Sequence, residues 1–179
     1  MSSAPVPLLP APDRPVFVLG ERPAAMELVR ALGETPALCA LPGNRVLRDL
    51  LSAVERARAD LEPLAGSTPG GSALAARWYR DVQAAWLRTS GKDRTVEFSG
   101  LSVLRLCELF PSAQFVVVHQ LKRAIPRSRR LPPSGRERIL EVDSARATDP
   151  DTIEDVLDFL GEPEQVVLDL SDDRVVTTG

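Results

Sequence analysis

PVFVLGERPAAMELVRALG, residues 15–33, decides the fold class. PVFVLG is a continuous apolar run closed by glycine, the pattern of a strand buried on both faces of a parallel sheet. Pro23 suits a first helical turn, Met26, Val29 and Leu32 recur on one side, and Gly33 ends the run, so residues 23–33 read as a helix. Strand, tight turn and helix in immediate succession form the unit from which α/β domains with parallel sheets are built.

The rest of the chain repeats this grammar. Residues 46–62 set Leu47, Leu50, Leu51 and Val54 at helical spacing, with Arg48, Asp49, Glu55 and Arg56 elsewhere. LAGSTPGGS, residues 64–72, reads as a loop. A helix over 73–89 places Ala75, Trp78, Tyr79, Val82 and Trp86 on one stripe, expected to be core. RTVEF (94–98) reads as a strand, Val103, Leu106, Cys107 and Phe110 as a helix stopped by Pro111, and QFVVV (114–118) as a second buried strand. RILEV (138–142) is a weaker strand. DPDTIEDVLDFLG (149–161) is the clearest helix, with Asp149 as cap, Pro150 in the first turn, Ile153, Val156, Leu157 and Leu160 as its buried stripe, and Gly161 at its end. EQVVLDL and RVVTT are expected to be short terminal strands.

The 179 residues fit one domain, taken as 15–179 after a Pro-rich extended tail over 1–14. A net charge of −3 argues against a general nucleic-acid binder. No apolar run is long enough to span a bilayer and the opening residues lack a basic, apolar leader, so the expectation is a cytoplasmic protein without a membrane partner. Cys39 and Cys107 fit neither a zinc set nor a redox pair, and no metal site is expected. Cys107, on an apolar helix face, reads as an inert thiol.

Parallel sheets place ligands beyond the carboxyl ends of their strands. Two loops qualify, GERPAAM after the first strand and HQLKRAIPRS after QFVVV. The first lacks the second glycine and the Lys-Ser or Lys-Thr pair of an ATP-binding phosphate loop. Arg22 either holds an anion there or is solvated. In the second, Lys122, Arg123, Arg127, Arg129, Arg130, Arg136 and Arg138 crowd into seventeen residues opposed by Glu137 alone. Such a cluster suits phosphate or sulfate, because guanidinium forks match their oxygens; a solvated basic face is the alternative. His119 is the one candidate general base, against a histidine satisfied by its neighbours.

Three blocks, residues 15–33, 101–128 and 138–163, resemble in order and chemistry the PAPS-dependent sulfotransferases of bacterial type, and span about two-fifths of the chain. Two motifs carry the likeness: FP-x-A-x-F before an apolar strand and basic loop, and DP-x-T followed by FLG-x-P. The resemblance implies a three-layer fold related to the P-loop proteins, PAPS as cofactor, and sulfuryl transfer to a small-molecule hydroxyl. It also locates departures. Where the family's first loop carries arginine, serine, glycine and two threonines, this chain has Pro23, Ala24, Ala25, Met26 and Glu27. At the 3′-phosphate site Gln120 replaces an arginine, while Ser128 is kept. Phe98, Ser99 and Gly100 stand for a lysine, a hydroxyl residue and a proline, and Ser144 and Ala145 for a tyrosine–glutamate pair. Nine residues between Ser128 and RILEV replace a longer helical cover.

The expectation is a sulfotransferase-like protein with a degenerate cofactor site over Arg22, Gln120, Arg123 and Ser128. It would bind a small molecule or a protein partner without catalysis, with specialised metabolism as the expected setting. One alternative is an active sulfotransferase with a rebuilt site holding PAPS or its desulfated product. Another is a subunit of an oligomeric assembly, homo-oligomers included.

Overall fold

The computed structural model describes residues 14–41, 45–65, 71–120 and 137–162. The N-terminal tail through residue 13, the cations from Lys122 to Arg136, and the segments expected to be terminal strands lie outside them. Among the described residues five strands and five helices follow in the order β1 (Val16–Gly20), α1 (Arg22–Leu32), β2 (Leu38–Leu41), α2 (Val46–Ala65), α3 (Gly71–Ser90), β3 (Arg94–Phe98), α4 (Val103–Leu109), β4 (Gln114–His119), β5 (Ile139–Asp143) and α5 (Pro150–Leu160), with a 3₁₀ turn at Ser144–Arg146. The strands form one sheet in the order β2-β3-β1-β4-β5, and every pairing is parallel. The α/β class and the parallel sheet are as the sequence led us to expect.

Period-two alternation explains how both faces are covered. Val16 and Val18 of β1, Val96 of β3 and Val116 and Val118 of β4 point to one face, where Ala25, Leu28, Val29 and Leu32 of α1 and Val156 and Leu160 of α5 close over them. Phe17, Leu19, Phe115 and Val117 point to the other, against Leu47, Leu51 and Val54 of α2, Ala75, Ala76 and Tyr79 of α3, and Leu106, Leu109 and Phe110 of α4. Phe17 lies with its ring centroid 5.1 Å from Phe110 and 6.1 Å from Phe115. Each such side chain, fully buried, stabilises the fold by roughly 1.5–3 kcal/mol.

Strand β2 has no counterpart in the reading of the sequence. LCAL is short, lies at the sheet edge, and buries only Leu38. It is held from a distance: Lys92 Nζ donates to the carbonyls of Gly33, Thr35 and Leu38 at 2.6, 2.9 and 2.8 Å, and Asp93 N–H donates to Ala37 O at 3.0 Å. A second staple ties the opposite end of α5 to the sheet. Arg94 donates to Leu160 O (2.9 Å), Glu162 Oε1 (2.8 Å) and Gln114 Oε1 (2.7 Å), and Gln114 Nε2 donates to Phe159 O at 2.9 Å.

Two expectations about helices are corrected. Trp78 is 48 % exposed, because α3 turns Ala75, Ala76, Tyr79, Gln83 and Leu87 inward and leaves the indole at the rim. Asp149 occupies the N-cap of α5 but makes no cap bond; its carboxylate instead accepts from Arg146 Nε at 3.0 Å. Gly161 ends that helix in the left-handed conformation, φ +72°.

The topology positions the site. Helix α1 leaves β1 on one face toward β2, whereas α4 leaves β3 on the opposite face toward β4. Adjacent strands whose connections part in this way open a crevice at their carboxyl ends.

Candidate functional site

The turn from β1 into α1 is closed. Gly20 sits at φ +108°, and a Cβ placed there would lie 1.9 Å from Val118 O. Glu21 N–H donates to that carbonyl at 2.9 Å, and α1 starts at the next residue. Of the amides that a helix N-terminus normally offers, Glu21's is used and Pro23 has none, which leaves those of Arg22 and Ala24. A phosphate cradle requires several convergent amides on a backbone free to approach the ligand. This donor set does not fit the phosphosulfate group that the resemblance implies.

A cleft of about 290 Å³ opens beside that turn, between the carboxyl ends of β1 and β3. Arg22 lines it from α1, and Arg45 and Arg48 from the start of α2. Asp49 N–H donates to Arg45 O at 2.9 Å, so Arg45 is the N-cap of α2. Among the described residues neither the Arg22 nor the Arg45 guanidinium has an ion-pair partner, while Arg48 Nε approaches the exposed Asp49 carboxylate at 3.5 Å. Leu47, Phe98 and Leu101 supply apolar wall. Ser99 and Gly100 complete it; Ser99 N–H is anchored on Val18 O at 2.9 Å, and its Oγ accepts from Leu101 N–H at 3.3 Å.

Glu97 forms the buried end of the cleft, 2 % exposed. It sits in β3 on the face covered by α3, which brings the Tyr79 hydroxyl to Glu97 Oε2 and Gln83 Nε2 to Glu97 Oε1 at 3.4 Å. Gln83 Nε2 also donates to Thr95 Oγ1 at 3.1 Å, and its own buried carbonyl oxygen has no donor among the described residues. A carboxylate held from behind by two donors is fixed in direction.

His119, at the end of β4, has its Nε2 3.0 Å from Glu141 Oε2 of β5, and its buried Nδ1 has no hydrogen-bond partner among the described residues. The neighbouring strand thus satisfies one ring nitrogen and leaves the other. Neither His119 nor Gln120 lines the cleft, and Gln120 is exposed. Arg123 and Ser128 lie outside the described residues. The structure therefore joins Arg22 to Arg45 and Arg48, rather than to the part of the β4 loop it describes. Arg45, Arg48, Glu97 and Glu141 were not singled out from the sequence. Arg45 and Arg48 come to the carboxyl edge only because β2 precedes them, and Glu141 is met only through strand pairing.

Cys107 is half-buried. Burial pushes its thiol up from the ordinary value, and the charge and hydrogen bond of Arg138 pull part of the way back. Among the described residues no three His, Cys, Asp or Glu side chains group in a way that would hold a metal ion, and no helix is long and apolar enough to cross a membrane. In comparisons of sequence, no protein-family model matches the chain and no curated protein is detectably similar to it.

Proposed function

We propose that this is a sulfotransferase-like protein that has lost the cofactor chemistry of the fold and binds a small anionic molecule in the cleft between β1 and β3. The observation that carries the reading is the closed β1–α1 turn beside three convergent arginines. The turn offers only the amides of Arg22 and Ala24, since Glu21 N–H is spent on Val118 O and Pro23 has none, while Arg22, Arg45 and Arg48 line one cleft beside it. Guanidinium groups recognise oxyanions by parallel N–H···O bonds, so an anion needs no help from the lost loop.

The test is calorimetric titration with adenosine 3′,5′-bisphosphate, the desulfated cofactor. The expected result is no saturable binding in the low micromolar range. A dissociation constant there, about −8 kcal/mol, would overturn the reading.

Two alternatives each have an observation in their favour. Active sulfuryl transfer is favoured by the His119–Glu141 pair, since a carboxylate on one ring nitrogen fixes the orientation of an imidazole and raises its basicity. Sulfate transfer from PAPS to any hydroxyl acceptor, lost in His119→Ala, is its mark. A role as a subunit is favoured by Leu74 and Trp78, one turn apart on α3 and 43 % and 48 % exposed. Light scattering on the purified chain separates an oligomer from a monomer of 19.4 kDa.

A further inference from the structure

We infer that the ligand of the cleft is a small phosphate monoester on a hydroxylated carbon skeleton, its phosphate held by Arg22, Arg45 and Arg48 and its hydroxylated end turned toward Glu97 and Ser99. The inference rests on the anion-binding reading above and gives it a ligand class.

Charge comes first. Three guanidinium groups and one carboxylate line the cleft, an excess of two positive charges among the lining residues, and the Asp49 carboxylate 3.5 Å from Arg48 is solvent-exposed and outside that lining. A phosphate monoester is close to a dianion at neutral pH, its second pKa being about 6. A sulfate ester carries one charge and leaves the excess half compensated. The excess is also unfavourable to the fold on its own. Arg22 stands in the first turn of α1, beside the N-cap Glu21, and Arg45 and Arg48 stand at the start of α2, whose first turn carries Asp49 as its one acidic residue. Cations at the positive end of a helix dipole are destabilising, and a bound anion reverses that effect.

The distribution of charge decides between dianions. Glu97 is fixed at the buried end by Tyr79 and Gln83 and carries the opposite sign to the three arginines. A dicarboxylate long enough to fill the cleft brings its second charge toward Glu97, where like charges repel at short range. A phosphate monoester keeps both charges at one end and offers hydroxyl groups to the other, where a carboxylate and the Ser99 hydroxyl accept or donate. Volume sets the size: about 290 Å³ lies at the lower limit of the roughly 300–1,000 Å³ pockets that take drug-sized ligands. A sugar phosphate is the right scale to fill it.

The experiment titrates the full chain with ribose 5-phosphate, inorganic phosphate, succinate and adenosine 3′,5′-bisphosphate, and repeats the series on Arg45→Gln and Glu97→Gln. Ribose 5-phosphate is expected to bind at least about tenfold more tightly than inorganic phosphate or succinate. Arg45→Gln, on an exposed side chain, weakens it by about tenfold or more. Glu97→Gln narrows the gap between ribose 5-phosphate and succinate. Succinate or inorganic phosphate binding as tightly as ribose 5-phosphate overturns the inference and leaves the anion-binding reading in place. Absence of binding by all three small anions overturns both. So does low-micromolar binding of the adenosine bisphosphate.

Discussion

Replacing Gly20 by alanine tests the closed turn directly. Two costs add at this position. An L-residue held at φ +108° is strained by roughly 1–2 kcal/mol or more, since that region is open in practice only to glycine. The new methyl would also fall 1.9 Å from Val118 O and 2.9 Å from its carbonyl carbon, both backbone atoms of β4 that no side-chain rotation can move aside. Relieving the overlap means prising β1 from β4, at about 1–3 kcal/mol for overpacking. It also breaks the Glu21 N–H···O=C Val118 bond of 2.9 Å, worth about 1 kcal/mol. Together these give about 3–6 kcal/mol, a large part of the 5–15 kcal/mol typical of a domain. Gly161→Ala is the internal control. Its φ is +72°, and an added Cβ would meet nothing within 4 Å, so it incurs the conformational term alone, about 1 kcal/mol. Urea denaturation of both variants, compared through midpoints at constant slope, measures the difference. Equal destabilisation would show that β1 does not run into α1 against Val118, and the argument against a phosphosulfate cradle would fall with it.

Arg94→Ala should cost about 2–4 kcal/mol, because it leaves the nearly buried Glu162 carboxylate and the Leu160 and Gln114 acceptors without their donor; a loss under 1 kcal/mol in the same denaturation assay would mean the staple is ornamental. Tyr79→Phe should cost about 1.5–3 kcal/mol by stripping the buried Glu97 of a hydroxyl donor, whereas Trp78→Ala should change stability by less than about 0.5 kcal/mol; the reverse ranking would contradict the orientation of α3. In a Cys39→Ser background, iodoacetamide should alkylate Cys107 with a pH midpoint above that of a free thiol, since burial disfavours the thiolate, and Arg138→Gln should push it higher still by removing the compensating cation; a midpoint below the free-thiol value would contradict the burial.

How much was legible beforehand depended on how local each signal was. β1 and β4 announced themselves because every residue of VFVL and FVVV is buried, so composition and run length sufficed. The helix at Pro150–Leu160 carries its own stop in Gly161. β2 did not announce itself: Leu38–Leu41 is an edge strand held by Lys92, a residue more than fifty positions away. Missing β2 hid the site as well, for Arg45 and Arg48 reach the carboxyl edge of the sheet only if a strand delivers them there. Trp78 was misread for a different reason. Hydrophobicity favours an indole over alanine or glutamine for the interior, but α3 lies close enough to the sheet that Ala75 and Ala76 fit beneath it, and Gln83 is buried through its bonds to Thr95 and Glu97. Glu97 itself sits in the middle of a readable strand. Its burial depends on Tyr79 and Gln83, on a helix whose phase the sequence alone did not fix.

Locating the ligand on the molecule tests the account most directly. In an isotope-labelled sample titrated with ribose 5-phosphate, the largest backbone amide shifts are predicted at Arg22, Arg45, Arg48 and Ser99 to Leu101, the residues around the cleft between β1 and β3. Shifts centred instead on His119, Gln120 and Ser128, with the cleft unmoved, would contradict it and return the anion site to the loop after β4.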